Sequence, residues 1–223
     1  EGALAAADVL VGDVNPSGRL VDTYARDLTD YPFTESFHES ADYVKYYEDV
    51  YVGYRYFETL PAAKDKVNYP FGFGLSYTSF DWSAPNCAVA DDMVYCNVTV
   101  CNTGSRPGKQ VIQLYFSAPQ GKLGKPALEL GAYAKTKLLA PGEQTVLTLA
   151  MPVGDMASYD DLGKVHKSAW VLEQGDYHIY IGTDVRSVQE VLSYGLEQDV
   201  VVEQLSEHLK PRKLEKRMLS DGS

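Results

Sequence analysis

Between about Thr78 and Leu196 the sequence runs as short apolar-alternating stretches broken by turn residues, without long helical periods. The stretches are Phe80–Ser83, Met93–Asn102, Gln110–Ser117, Gly131–Leu138, Gln144–Met151, Ala169–Glu173, Asp176–Thr183 and Glu190–Leu196. Asn102-Thr103-Gly104, Ala140-Pro141-Gly142-Glu143 and Gln174-Gly175-Asp176 separate them with residues that bend the backbone. Val94, Cys96, Val98 and Val100 alternate with polar partners, as a strand with one buried face requires. Seven or eight such strands over roughly 120 residues predict an antiparallel β-sandwich, with Trp170 and Tyr177 as core candidates.

The sandwich is of immunoglobulin or fibronectin type III kind. Cys87, Cys96 and Cys101 form no CxxC pair, and their odd number speaks against a disulfide-linked immunoglobulin domain. Neither a disulfide framework nor a metal site is expected, and a reduced compartment, the cytoplasm before others, is the expected location. The net charge of −11 argues against nucleic acid or an anionic membrane as partner and fits a neutral ligand. No apolar run approaches the roughly 20 residues needed to cross a bilayer.

Ahead of the sandwich, Glu1–Val11 is alanine-rich and helical by propensity, suited to packing on a sheet, with Gly12 as its stop. Asn15-Pro16-Ser17-Gly18 is a turn, and Arg19–Tyr24 and Asp49–Phe57 read as strands. Residues 26–42 read as an acidic loop and Leu60–Lys66 as a surface link. Tyr43 to Phe80 concentrates tyrosine and phenylalanine around Gly53, Gly72 and Gly74. That mixture suits a seam between two packed units, or an ordinary strand and turn on a tyrosine-rich surface. After Leu196 charged residues alternate with Leu and Val, and Pro211 interrupts any helix; this is a flexible tail or a linker into a further domain.

Motif-borne chemistry is sparse: no nucleophile elbow, P-loop, HExxH or paired CxxC occurs, and Gly72-Phe73-Gly74 reads as a tight turn. His38, His166, His178 and His208 are scattered and form no ligand cluster. Asn97-Val98-Thr99 matches a glycosylation sequon by chance within a strand. Glu35, Glu39, Asp42, Glu48 and Asp49 form the densest acidic region, beside many aromatics. Sugar-cleaving sites combine carboxylates with aromatic platforms, because one acid protonates the leaving oxygen while a second attacks or stabilises the cationic centre. Acids in a polar loop are more often simply solvated.

Three stretches carry a resemblance: NPSGRL at Asn15–Leu20, YYEDVYVGYRYF at Tyr46–Phe57 and YPFGFGLSYTSF at Tyr69–Phe80. They resemble successive signatures of glycoside hydrolase family 3. GKQVIQLYFSAP at Gly108–Pro119, the run at Ala127–Glu143 and the Trp170–Gly182 pattern resemble the fibronectin type III-like domain that accompanies many of these enzymes. The resemblance implies α/β plus all-β architecture: residues 1–77 as the end of an α/β sandwich domain, 78–197 as a fibronectin type III-like β-sandwich, and 198–223 as a linker or start of a further domain. It implies a fragment of a retaining β-glycosidase, first a β-glucosidase, acting on a β-glucoside or oligosaccharide through a barrel domain that these residues do not include. No cofactor is implied, and a homo-oligomer is possible.

Neither catalytic carboxylate maps to this sequence, so no residue is assigned a catalytic, cofactor-binding or metal-binding role. Asp81, in Phe80-Asp81-Trp82, mimics two letters of the family's nucleophile motif but lies at the sandwich entrance and is read as a decoy. The acidic-aromatic loop 31–47 lines a sugar-binding mouth or is a plain surface loop. Val21 stands where many relatives have proline. The charged run around Pro211 resembles the join in permuted relatives whose barrel follows. A non-catalytic carbohydrate-binding or adhesion module is the alternative reading.

Overall fold

The computed structural model describes residues 2–32, 34, 36, 39–208 and 216–223. Glu35 and His38, two of the residues singled out in the sequence, lie outside the described set.

Helix α1 (Gly2–Val11) forms as the alanine content predicts and stops at Gly12, whose φ of 85° is the left-handed conformation that ends helices. None of its residues is buried, and Leu4, Leu10 and Val11 face solvent, so no sheet among the described residues covers it. A two-residue strand β1 (Tyr24–Ala25) follows, much shorter than the expected Arg19–Tyr24. Asp49–Phe57 is not a strand. Helix α2 (Tyr54–Thr59) and the short α3 (Pro61–Lys64) occupy that region and the supposed surface link. Gly53, at φ 57°, turns the chain out of extended geometry just before α2. The amphipathic face then drops Phe57, Leu60 and Ala63 into a cluster with Tyr51, Val67 and Met218. Burial of these apolar groups outweighs the β-propensity of the local Val and Tyr residues. Strand β2 (Val67–Tyr69) pairs antiparallel with β1.

The sandwich follows as β3 (Phe80–Ala90), β4 (Met93–Asn102), β5 (Val111–Ser117), β6 (Glu129–Lys135), β7 (Gln144–Pro152), β8 (Ser158–Asp160), β9 (Ala169–Leu172), β10 (Gly175–Gly182), β11 (Val188–Leu196) and β12 (Val200–Gln204). The sheets run β3-β4-β7, β11-β10-β5-β6 and β12-β9-β8, and all their pairings are antiparallel. Strand β4 presents Val94, Cys96, Val98 and Val100 inward, where they meet Ile112, Leu114 and Phe116 of β5 and Tyr177, Ile179 and Ile181 of β10. A Cβ on Gly131 would sit 2.0 Å from the Met151 sulfur, so a larger residue there would have to displace the Met151 side chain where β6 approaches β7. The tail contributes β12, whose partner is β9.

Two expectations fail within the sandwich. Cys87 and Cys96 are joined by a disulfide, because the β3–β4 hairpin places them directly opposite each other with Cα atoms 4.2 Å apart. Cys101 is free. Trp170 is not a core residue: it is 40% exposed, while its strand neighbours Ala169 and Val171 are fully buried. Trp170 points to the face of β9 opposite Ala169 and Val171; Leu172 on that same face reaches the core, while at Trp170 the face is open and the ring stays part-exposed. Tyr177 is buried as expected, its hydroxyl donating to the Glu173 carbonyl at 3.0 Å.

Candidate functional site

Strand β5 is buried on both faces, and its outer face is where the first 77 residues meet the sandwich. Tyr54 of α2 stacks on Phe71 (centroids 4.5 Å apart) and meets Tyr115 of β5 edge-on at 6.4 Å. Burial pushes the Tyr115 hydroxyl well above its ordinary pKa, keeping it protonated as a donor to Gln113 Oε1. Gln113 Nε2 in turn donates to the Thr183 carbonyl at 2.9 Å. Gly72, at φ 82°, passes so close that a Cβ would stand 2.5 Å from Gln113 Oε1. Of the two readings of Tyr43–Phe80, the contacts support the seam.

Polar side chains complete it. Asn15 accepts from the Tyr77 and Ser76 donors at 2.8 and 3.1 Å and donates to the Pro107 carbonyl at 2.9 Å. Arg186, between β10 and β11, pairs with the buried Glu58 at 2.8 Å and donates to the Lys64 carbonyl. Arg55 of α2 reaches Glu129 of β6 at 2.8 Å. Burial pushes the Glu129 carboxyl up, and the Arg55 charge opposes that rise.

At one end of the seam lies a cavity of about 540 Å³. Its lining includes Asp49, Asp155, Tyr159, Asp161, Trp170 and Arg217. Arg217 bridges the two sides, 2.8 Å from Asp49 and 3.0 Å from Asp161. Beside it Met218 sinks among the α2 residues and donates its N–H to the Tyr47 carbonyl at 2.7 Å. Asp160 organises the opposite rim: its carboxylate accepts from the N–H groups of Gly163, Lys164, Val165 and His166 at 2.7–3.1 Å. Burial works to raise its pKa, but these four donors hold it below the usual carboxylate range. Aromatic walls and carboxylate acceptors give the cavity the chemistry to hold a neutral, hydroxyl-rich molecule.

The acidic residues flagged in the sequence do not all converge here. Glu39 pairs with Lys45 at 3.1 Å, Asp42 is exposed, and Glu48 is half-buried with one carboxylate oxygen lacking a hydrogen-bond partner. Only Asp49 of that group lines the cavity. Asp81 lies exposed on edge strand β3. Asn97 accepts from Thr148 Oγ1 at 2.8 Å, His178 faces Glu190 at 2.9 Å, and His208 is exposed. Among the described residues no group of three His, Cys, Asp or Glu side chains is placed to hold a metal ion. Sequence reasoning missed Tyr159, Asp161 and Arg217; only the alternation Ala169-Trp170-Val171 carried a readable signal, for the outward Trp170.

Residues 1–77 match the family model described as glycosyl hydrolase family 3 C-terminal domain, and residues 110–185 match that of the fibronectin type III-like domain. The chain belongs to glycoside hydrolase family 3, and contains its C-terminal-domain segment together with the fibronectin type III-like domain. It is similar to beta-glucosidase A of Butyrivibrio fibrisolvens, 57% identical over all of this chain and 29% of that protein. The beta-glucosidase of Ruminococcus albus is 48% identical over 98% of this chain and 23% of its own length. Among solved structures, a beta-glucosidase from Paenibacillus barengoltzii superposes with a TM-score of 0.89 at 52% identity, over 94% of this chain and 23% of that one. Beta-glucosidase 3B from Thermotoga neapolitana, in complex with glucose, gives 0.78 at 39% identity, over 87% and 26%. The chain thus spans less than a third of the length of these relatives.

Proposed function

We propose that these residues form a structural portion, non-catalytic by itself, of a retaining β-glucosidase that hydrolyses terminal, non-reducing β-D-glucosyl residues. Residues 1–77 close an α/β sandwich domain, 78–197 form the fibronectin type III-like module, and 198–223 are a linker or the start of a further domain. The reaction is a double displacement using two carboxylates about 5 Å apart, both supplied from outside residues 1–223. The role of this portion is to complete the sandwich domain and brace it against the module. One observation carries the reading: the family signatures at Asn15–Leu20 and Tyr69–Phe80 are bonded to one another through Asn15 to Ser76 and Tyr77, and the same Asn15 crosses the seam to the Pro107 carbonyl. A β-glucoside or oligosaccharide is the substrate, and no cofactor takes part.

The test is hydrolysis of a chromogenic β-glucoside by the protein encoded by the complete gene and by residues 1–223 in parallel. Turnover by the former alone is expected. Inactivity of the full-length protein on every β-glycoside tried would overturn the proposal.

A further inference from the structure

The Tyr159–Trp170 wall of the cavity serves no contact in the seam core, yet its geometry is fixed. Ala169 and Val171 are buried on one face of β9, so the backbone aims Trp170 to the opposite face, where its ring is 40% exposed. Tyr159 stands directly opposite it on β8, the two rings 5.6 Å apart and inclined at 55°. On the other side the β9–β12 register sets Glu203 opposite Trp170. By register Tyr159, Trp170 and Glu203 fall in one row of the sheet, across a bulge in β12, and of the three Tyr159 and Trp170 line the cavity. Asp155, at the edge of the same cavity, has no cationic partner among the described residues.

An exposed pair of large rings at the edge of a cavity marks a binding surface. Charge selects the ligand. Five carboxylates line the cavity (Asp49, Glu129, Asp155, Asp160 and Asp161) against three cations (Arg55, Lys164 and Arg217), and the whole chain carries −11, which disfavours phosphate, nucleic acid or an acidic peptide. A sugar suits it: hydroxyl groups donate to Asp155, and C–H faces stack on the rings. Glucosyl units in β linkage carry equatorial substituents and leave both ring faces as flat C–H surfaces. The cavity volume of about 540 Å³ falls within the roughly 300–1,000 Å³ of small-molecule sites.

We propose that Trp170 and Tyr159 form a binding platform for a β-linked glucosyl unit of a neutral oligosaccharide. The choice of glucose rests on the functional reading above; the choice of a neutral glycan rests on the rings and the charge alone.

Tryptophan fluorescence of the 223-residue chain, titrated with cellotetraose, tests this. Trp82 packs against the sandwich core and is the invariant reference, leaving Trp170 to report. A saturable change with a Kd of about 1 mM or below is expected, weakened about tenfold or more in Trp170→Ala and in Tyr159→Ala, with Asp155→Asn intermediate. Calorimetry reads the variants that lack the fluorophore. Tyr159→Ala keeps the test decisive if Trp170→Ala does not fold. Absence of saturable binding, or wild-type affinity in both ring variants, would overturn the platform. So would a dimer in sedimentation that Trp170→Ala converts to monomer, since the face would then bind a second copy. Failure here with chromogenic β-glucoside turnover intact in the full-length protein would remove the platform and leave the functional reading standing.

Discussion

Replacing Glu173 by Gln attacks the most deeply buried charge pair described. Glu173 and Lys125 are 3% and 1% exposed and form an ion pair. The carboxylate also accepts from the N–H groups of Lys122 and Leu123, at 2.6 and 3.1 Å, and the Lys125 ammonium also donates to the Pro119 carbonyl at 2.7 Å. Every strong group of the pair is thus satisfied, and together they pin the loop between β5 and β6 that supplies Leu123 and Gly124 to the cavity. Glutamine keeps the volume but leaves the ammonium buried without a counter-charge and turns an NH2 toward backbone donors. Removing one partner of a buried pair costs about 3–5 kcal/mol. For a chain of this size that lowers the melting temperature by about 6–20 °C. Lys125→Met should cost somewhat less, since the carboxylate retains two backbone donors. The double variant should lose less than the sum of the singles, by about 1–3 kcal/mol. Urea denaturation followed by near-ultraviolet circular dichroism gives all three values. A Glu173→Gln loss below about 1 kcal/mol, or strict additivity, would refute the reasoning.

Other consequences are separable. Asn102, fully buried, donates to the Arg106 and Leu139 carbonyls at 2.8 and 2.9 Å and accepts from Thr78 Oγ1 at 2.7 Å. Asn102→Ala should therefore cost about 2–4 kcal/mol, seen as a lower urea midpoint at unchanged slope. At Gly72, with φ 82°, an alanine Cβ would meet Gln113 at 2.5 Å and the Asp184 Cα at 3.0 Å. Gly72→Ala should cost about 1–3 kcal/mol and hasten proteolysis of the seam, as limited trypsin digestion would reveal. Asp160, with its pKa lowered in the fold, stabilises above its unfolded value near 3.9, and that stability is lost as pH falls through the lower folded value. Asp160→Asn should be less stable at neutral pH and should lack that part of the acid-induced loss, which melting temperatures between about pH 2 and 7 would record.

Much of the sandwich was legible because strand alternation is a local signal. Met93–Asn102 was read with its boundaries intact as β4, and its inward valines are the ones buried. Legibility failed where distant contacts decide the outcome. Asp49–Phe57 has strand-like composition, yet α2 forms because Phe57 and Leu60 gain a cluster that includes Met218, far along the chain. An odd cysteine count argued against pairing, whereas hairpin register alone set Cys87 opposite Cys96. Trp170 was drawn to the core by its hydrophobicity, although its place between two buried residues of β9 already turned it outward. For the cavity, the sequence flagged Asp49 but not Arg217, which joins it across 168 positions. Pairing of exposed charges at such separation leaves no periodic trace.

The central claim is that these residues belong to a retaining β-glucosidase. Proton NMR of the anomeric region, recorded during the first minutes of hydrolysis of an aryl β-D-glucoside by the full-length protein, tests it most directly. The account predicts that β-glucose appears first and then mutarotates. Initial release of α-glucose, or no release of glucose at all, would contradict it.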